Sequence, residues 1–175
     1  MVLGGTRART HGMLIRDAAD ADLPGILEIY NEVIANTTAV YSESPATLED
    51  RRAWRQSRLE QRCPVLVAAD RATIMGFASF GNFHSSSGYR HTVELTVHVH
   101  ALYRGRGVGK ALVTALLARA ALLGKHVIIG LIDADNAVSL AMHEHLGFTR
   151  VAHLREVGRK FDRWLDLVLM QRFVG

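Results

Sequence analysis

The stretch TVELTVHV (residues 92–99), continued by HALYRGRGVGK (100–110) and ALVTALLARAALL (111–123), carries a strand, a glycine-rich turn and a helix in immediate succession. Val93, Leu95, Val97 and Val99 alternate with Glu94, Thr96 and His98, the period of two of a strand with one set on each face. A helix is expected from about Val108 to Leu123, stopped by Gly124. Between the two, Arg104, Gly105, Arg106, Gly107, Val108, Gly109 and Lys110 lead into a helix N-terminus. Free backbone N–H groups and the helix dipole favour a phosphate there, and glycine lets the backbone approach it. Two phosphate motifs fail. A P-loop ending at Lys110 needs Gly at 104 and Ser or Thr at 111, where Arg104 and Ala111 stand. A dinucleotide fingerprint starting at Gly105 needs Gly at 110, where Lys110 stands. Neither an NTPase nor a Rossmann dehydrogenase is supported.

Outward from this segment, strands and helices are interspersed. Residues 14–16 form an expected short strand. Asp20 or Asp22 caps a helix whose Leu23, Ile26, Leu27, Tyr30 and Ile34 follow the 3.6 period, with Pro24 near its start. Thr47 and Asp50 resemble a capping box with Asp in place of Glu, opening a polar surface helix to about Arg62. Its Arg51, Arg52, Arg55 and Arg58 are expected on a solvated face. Apolar, β-rich runs at 65–69 and 74–83 flank a hairpin turn at 70–73. Then come a buried strand at 126–133, a helix at 136–146 ended by Gly147, a strand at 148–156, a turn at 157–162 and a last strand at 163–172. The expected architecture is α/β (α+β): a mixed, mostly antiparallel sheet of about seven strands flanked by about four helices, with at least one βαβ crossover.

A chain of 175 residues, 49% hydrophobic and 22% charged with 3 prolines, suits one globular domain. That domain is expected to span 13–175. Residues 1–12 lack the apolar core of a secretory signal and are expected to be a disordered extension. No apolar run approaches the ~20 residues of a membrane span, so no membrane partner is expected. A net charge of +4 suits an anionic ligand, yet the basic residues are scattered, so nucleic acid is not expected as a partner. Cys63 is the sole cysteine, which excludes an intramolecular disulfide and a thiolate zinc cluster and fits a reducing cytoplasm. His98 and His100 share a strand face, but no carboxylate close in sequence completes a set, and no metal is expected.

Arg104, Gly107 and Gly109 match the pattern of Gln or Arg, two residues, Gly, one residue, Gly or Ala. This resembles the acyl-CoA pyrophosphate loop of the GCN5-related N-acetyltransferase superfamily, and the order of elements agrees with it. The resemblance implies acetyl-CoA as co-substrate, its pyrophosphate over Arg104–Lys110, and a sheet splayed beside residues 92–100. It places the pantetheine chain along Val97, His98 and Val99, and it puts Asn136 and Ser139 on the CoA side. Asn136 is also a good helix cap in its own right. His143 stands where many relatives carry a tyrosine acid, which implies protonation of the departing thiolate.

A narrower resemblance covers LPGILEIYN (23–31), NTTAVY (36–41), RHTVE (90–94) and KFDRWLD (160–166). These resemble the phosphinothricin and methionine sulfoximine acetyltransferase branch, which implies a small-molecule amine acceptor of the amino-acid type, acetylated on the α-amino group. It further implies a homodimer, and Tyr41, Glu94, Thr96 and Arg90 around the acceptor. Arg90 would hold a substrate carboxylate by a bidentate pair; an exposed structural arginine is the equal alternative. One departure is HSSSG (84–88), where relatives put bulky or basic residues. It leaves the acceptor's identity open.

A carboxylate inside a central strand costs free energy unless it is paired or used. A salt bridge between Glu94 and Arg90 is one reading. The other follows from the reaction: an amine must be neutral to attack a thioester, yet an α-amino group has a pKa of about 8, so a base must take its proton. Glu94 is the candidate base, and backbone N–H groups at the splayed strand end are candidate donors to the oxyanion. Two other functions share these features: acetylation of a protein N-terminus or lysine, and a non-catalytic acyl-CoA sensor.

Overall fold

The structure, a computed structural model, describes residues 12–174. The expected extension at 1–12 lies outside the described residues except for Gly12. In chain order the elements are β1 (Leu14–Asp17), α1 (Leu23–Asn36), α2 (Leu48–Glu60), β2 (Val65–Asp70), β3 (Thr73–Asn82), β4 (Thr92–Val99), α3 (Val108–Leu122), β5 (Val127–Asp133), α4 (Ala137–His145), β6 (Thr149–Lys160) and β7 (Arg163–Phe173). The strands form one sheet in the order β1-β2-β3-β4-β5-β7-β6. Every pair is antiparallel except β4 with β5, whose crossover is α3. Among the described residues no helix is long and apolar enough to cross a membrane.

The period of two in β4 sends its side chains to two different cores. Val93 and Leu95 join Leu112, Leu116 and Ile128 in the core under α3. On the other face, Phe77 of β3 is fully buried with Ile26 and Ile29 of α1, and Trp54 of α2 packs edge-on against its ring at 5.8 Å. Burying a side chain such as Phe77 is worth about 1.5–3 kcal/mol. Sheet and helices are thus held on both faces, which fixes β4 between them.

The pairing of β4 with β5 then stops. Thr92 to Leu95 pair with Val127 to Gly130, but beyond Leu95 the strand keeps only β3 as neighbour. Meanwhile Leu131, Ile132 and Asp133 continue along β7. Phe83 N–H donates to Thr92 O at 3.3 Å and His100 N–H to Met75 O at 2.9 Å, so the even-numbered backbone groups of β4 face β3. The N–H and C=O groups of Val97 and Val99 therefore face the opening.

Two local features differ from the sequence reading. The last hairpin does not turn over 157–162: β6 runs on to Lys160, and Phe161 and Asp162 alone make the turn, with φ of 51° and 57° as a primed two-residue loop requires. A register shift between Leu154 and Gly158 carries the strand past Glu156, whose φ is 53° and whose N–H donates to Asp166 Oδ1 at 2.9 Å. The second difference is α2. It opens with the expected capping box, Asp50 N–H donating to Thr47 Oγ1 and Thr47 N–H to Asp50 Oδ2. Its arginines, however, are not all solvated, because Trp54 docks that face onto β3.

Candidate active site

Where β4 and β5 part, a cavity of about 460 Å³ opens on the α2 side of the sheet. One wall is Glu94, Thr96 and His98 of β4, facing Arg51, Trp54 and Arg58 of α2. Asp133 of β5 and Asn136, Ser139 and His143 at α4 make the other, and Val40 and Tyr41 from the loop after α1 close one end. The structure thus brings together Tyr41, Glu94, Thr96, Val97, His98, Asn136, Ser139 and His143 of the expected residues.

Glu94 is half-buried, and burial pushes its carboxyl pKa up, offset in part by the Arg58 guanidinium. Among the described residues it forms no salt bridge, with Arg90 or any other group. Arg90 is not brought to the cavity. The single turn at Ser87–Tyr89 directs it outward, exposed, where it donates to Ser87 O at 3.2 Å while Lys125 Nζ donates to the Arg90 carbonyl at 2.8 Å.

His98 packs between the rings of Tyr30 and Phe77, at 5.9 and 5.4 Å. Burial, reinforced by Arg51 and Arg104, brings its pKa down to about 4, so it is neutral near pH 7. Tyr41 donates its hydroxyl to Asp166 O at 3.0 Å, and burial with the nearby Asp133 and Asp166 pushes its pKa up to about 12. The Tyr41 ring lies against Gly158, where a Cβ would collide with it. Lys160, 1% exposed, fixes the same loop by donating from Nζ to Thr37 O at 2.8 Å and Val40 O at 2.7 Å.

On the opposite wall Asn136, Ser139 and His143 bond to one another, while Asp133 Oδ2 is buried without a partner among the described residues. Asn136 caps α4, its side chain accepting from Ser139 N–H at 3.1 Å. His143 Nδ1 lies 2.8 Å from Ser139 O. A carbonyl only accepts, so Nδ1 carries the hydrogen and Nε2 is left as a bare acceptor. Burial holds the His143 pKa below the usual range. As a neutral imidazole His143 thus presents Nε2 without a hydrogen.

The glycine-rich turn lies at the end of β4. Gly105 and Gly107 have φ of 72° and 80°, and the first bond of the α3 ladder is Ala111 N–H to Gly107 O. The N–H groups of Val108, Gly109 and Lys110 precede that ladder, and donors left free at a helix N-terminus suit an anion. Gly109 serves closeness instead: a Cβ there would lie 3.2 Å from Met142 Sδ of α4. Arg104 is already engaged, pairing with Glu32 of α1 and donating from Nε to Val99 O at 3.1 Å. Lys110 Nζ lies 3.0 Å from His145 Nε2.

Four site residues escaped the sequence reading. Arg51 and Arg58 line the cavity instead of facing solvent; of that cluster, Arg55 donates to Ala18 O and pairs with Asp20, and Arg52 alone stays on an exposed flank with Glu49. The spacing of 51, 54 and 58 places both arginines on the face of Trp54, which is the signal that this face turns inward. Asp133, 4% exposed, could be suspected as a carboxylate at the end of a buried strand. Lys160 gave no local signal.

Residues 26–148 match the model of the acetyltransferase (GNAT) family. A methionine sulfoximine and methionine sulfone acetyltransferase of Pseudomonas aeruginosa is 47% identical over 158 residues, 90% of this chain and 92% of the relative. A phosphinothricin acetyltransferase of Sinorhizobium meliloti, solved in complex with acetyl-CoA, superposes with a TM-score of 0.91 at 35% identity, over 93% of this chain and 89% of that one. A ribosomal-protein-alanine N-acetyltransferase of Brucella melitensis superposes with a TM-score of 0.90 at 43% identity, covering 92% and 99%. The chain shares its fold with these relatives and belongs to the GNAT family as an acetyl-CoA-dependent N-acetyltransferase.

Proposed function

We propose that the chain acetylates the α-amino group of a small amino acid of the methionine sulfoximine or phosphinothricin type, with Glu94 as the base. The observation that carries this reading is Glu94 itself, a half-buried carboxylate without an ion-pair partner among the described residues, on the strand where the sheet parts. Burial raises its proton affinity, which suits a group that must take a proton from an ammonium acceptor. Acetyl-CoA supplies the thioester carbonyl that the neutral amine attacks. The chain's part is to hold it: Val108, Gly109 and Lys110 N–H groups with Gly105, Arg106 and Gly107 for the pyrophosphate, and the backbone of Val97 and Val99, flanking His98, for the pantetheine. Arg104 shapes this path through Val99 O, and Asn136 and Ser139 border it from α4. Tyr41 and Thr96 line the acceptor side, and neutral His98 closes it against Phe77.

The name of the Brucella relative favours a second reading, a protein N-terminal alanine as acceptor. A cavity of about 460 Å³ closed by the Tyr41 loop suits a free amino acid better. The apolar side chains that β6 and β7 expose, Val151, Leu154, Val157 and Trp164, suit a second copy of the chain, a homodimer. CoA release measured over amino acids, amines and alanine-ended peptides separates the readings. Turnover of free amino acids alone is expected; turnover of peptides alone would contradict it.

A further inference from the structure

Two guanidinium groups in the cavity have no carboxylate partner among the described residues. Arg51 and Arg58 line it, each has a buried Nε without a hydrogen-bond partner, and neither forms a salt bridge among the described residues. A buried donor left unmet in a native structure calls for an explanation, and a ligand is a common one. The two sit at opposite ends of the β4 wall. Arg51 stacks on the Tyr30 ring at 4.0 Å, at the His98 end, and Trp54 lies between the arginines, 5.3 Å from one and 5.9 Å from the other. Arg58 lies at the Glu94 end.

The seat of Arg58 is specific. Its guanidinium rests on the backbone of Gly81, where a Cβ would collide with Nη1 and Cζ. Gly81 is the residue of β3 directly opposite Glu94. Any other residue there would fill the place beside Glu94 with a side chain. The absent Cβ instead admits a fork of donors alongside the base, where it does not close onto Glu94 as a salt bridge. Among the described residues its one side-chain acceptor is Gln61 Oε1 at 3.4 Å, a long bond.

We infer that Arg58 is the receptor for the acceptor's α-carboxylate, which rests on the reading that the acceptor is an α-amino acid. In such a molecule the amine and the carboxylate sit on one carbon. A receptor that presents the amine to Glu94 must therefore hold the carboxylate immediately beside it. Arg58 is the cation that stands there, and a planar guanidinium matches a carboxylate in a paired, oriented contact that a lysine does not reproduce. The contact orients as well as binds: it fixes which of the groups on the α-carbon faces the base. Arg90 is turned outward and Arg51 belongs to the other end of the wall, where it faces the acceptor's side chain.

The test pairs an L-amino acid that the enzyme acetylates with its carboxamide, and reads the ratio of the two kcat/KM values. This ratio cancels any effect of Arg58 on Glu94, since the base is common to both acceptors. The wild-type enzyme is expected to prefer the acid by about 10- to 100-fold, the range for a hydrogen-bonded pair of charges. Arg58→Gln is expected to bring the ratio to within about threefold, through a raised KM for the acid. Gly81→Ala leaves Arg58 in the chain but removes its seat, and is expected to do the same; Arg58→Lys keeps the charge without the fork and should fall between. Thermal melts establish which variants are folded, and Gly81→Ala and Arg58→Lys carry the test where Arg58→Gln is not. An acid preference that survives in the folded variants overturns the inference, as does a wild-type enzyme indifferent between acid and amide. Failure to find any L-amino acid that the enzyme acetylates would instead overturn the amino-acid reading, and the inference with it.

Discussion

The two walls of the cavity differ in how their hydrogen bonds are distributed. On the β5–α4 wall, Asn136 and His143 are both committed to Ser139, and only Asp133 keeps a buried oxygen, Oδ2, without a partner. On the β4–α2 wall the opposite holds: among the described residues Glu94 forms no salt bridge, and Arg51 and Arg58 each retain an unmet Nε. Groups whose bonds are satisfied within the chain hold shape, while groups left over at the same depth are available to a ligand. The α4 wall is therefore a frame and the α2 wall a reader. Lys160 belongs with the frame, since both of its bonds go to the loop that carries Tyr41.

Substitutions sharpen this contrast in order of size. Glu94→Gln should lower kcat by about 10²- to 10⁴-fold with the KM for acetyl-CoA unchanged, because only proton removal is lost. Gly107→Val forces a β-branched residue to a φ of 80° at the donor row, and should raise the KM for acetyl-CoA about 10- to 100-fold while the KM for the acceptor stays put. Lys160→Met leaves the Thr37 and Val40 carbonyls without their donor. It should cost about 1–3 kcal/mol in a denaturation experiment and raise the KM for the acceptor several-fold. His143→Gln should change kcat by less than about threefold, since the imidazole is neutral with Nδ1 committed to Ser139; a loss of a hundredfold would make that wall catalytic.

Much of the frame was legible from the chain because it depends on local rules. The period of two in residues 92–99, the glycines at 105 and 107 and the box at Thr47 and Asp50 each report their own backbone, and each element stands as read. The last turn was misplaced because Val157–Lys160 looks like a loop in isolation; what extends the strand is pairing across the bulge with Trp164 and Leu165. The reader was less legible. Arg58 is one of four arginines on a polar helix, and nothing near it in sequence reveals that it rests on Gly81, in a different strand. Arg90 is the converse, close to Glu94 along the chain and turned away from it in space. Strand pattern and reaction chemistry single out Glu94 from the sequence, and only packing reveals the cation beside it.

The central claim is that Glu94 removes the proton, and the dependence of kcat/KM on pH in wild-type enzyme and Glu94→Gln tests it most directly. Glu94 acts as a base only when ionised, so activity is present above its pKa and falls as pH drops through it. Burial raises that pKa and Arg58 lowers it, so the acidic limb should stand above the ordinary carboxylate range and move higher still in Arg58→Gln. The account predicts that this limb is present in the wild-type enzyme and absent from the residual activity of Glu94→Gln. An acidic limb that persists unchanged in Glu94→Gln, with turnover retained, would contradict it.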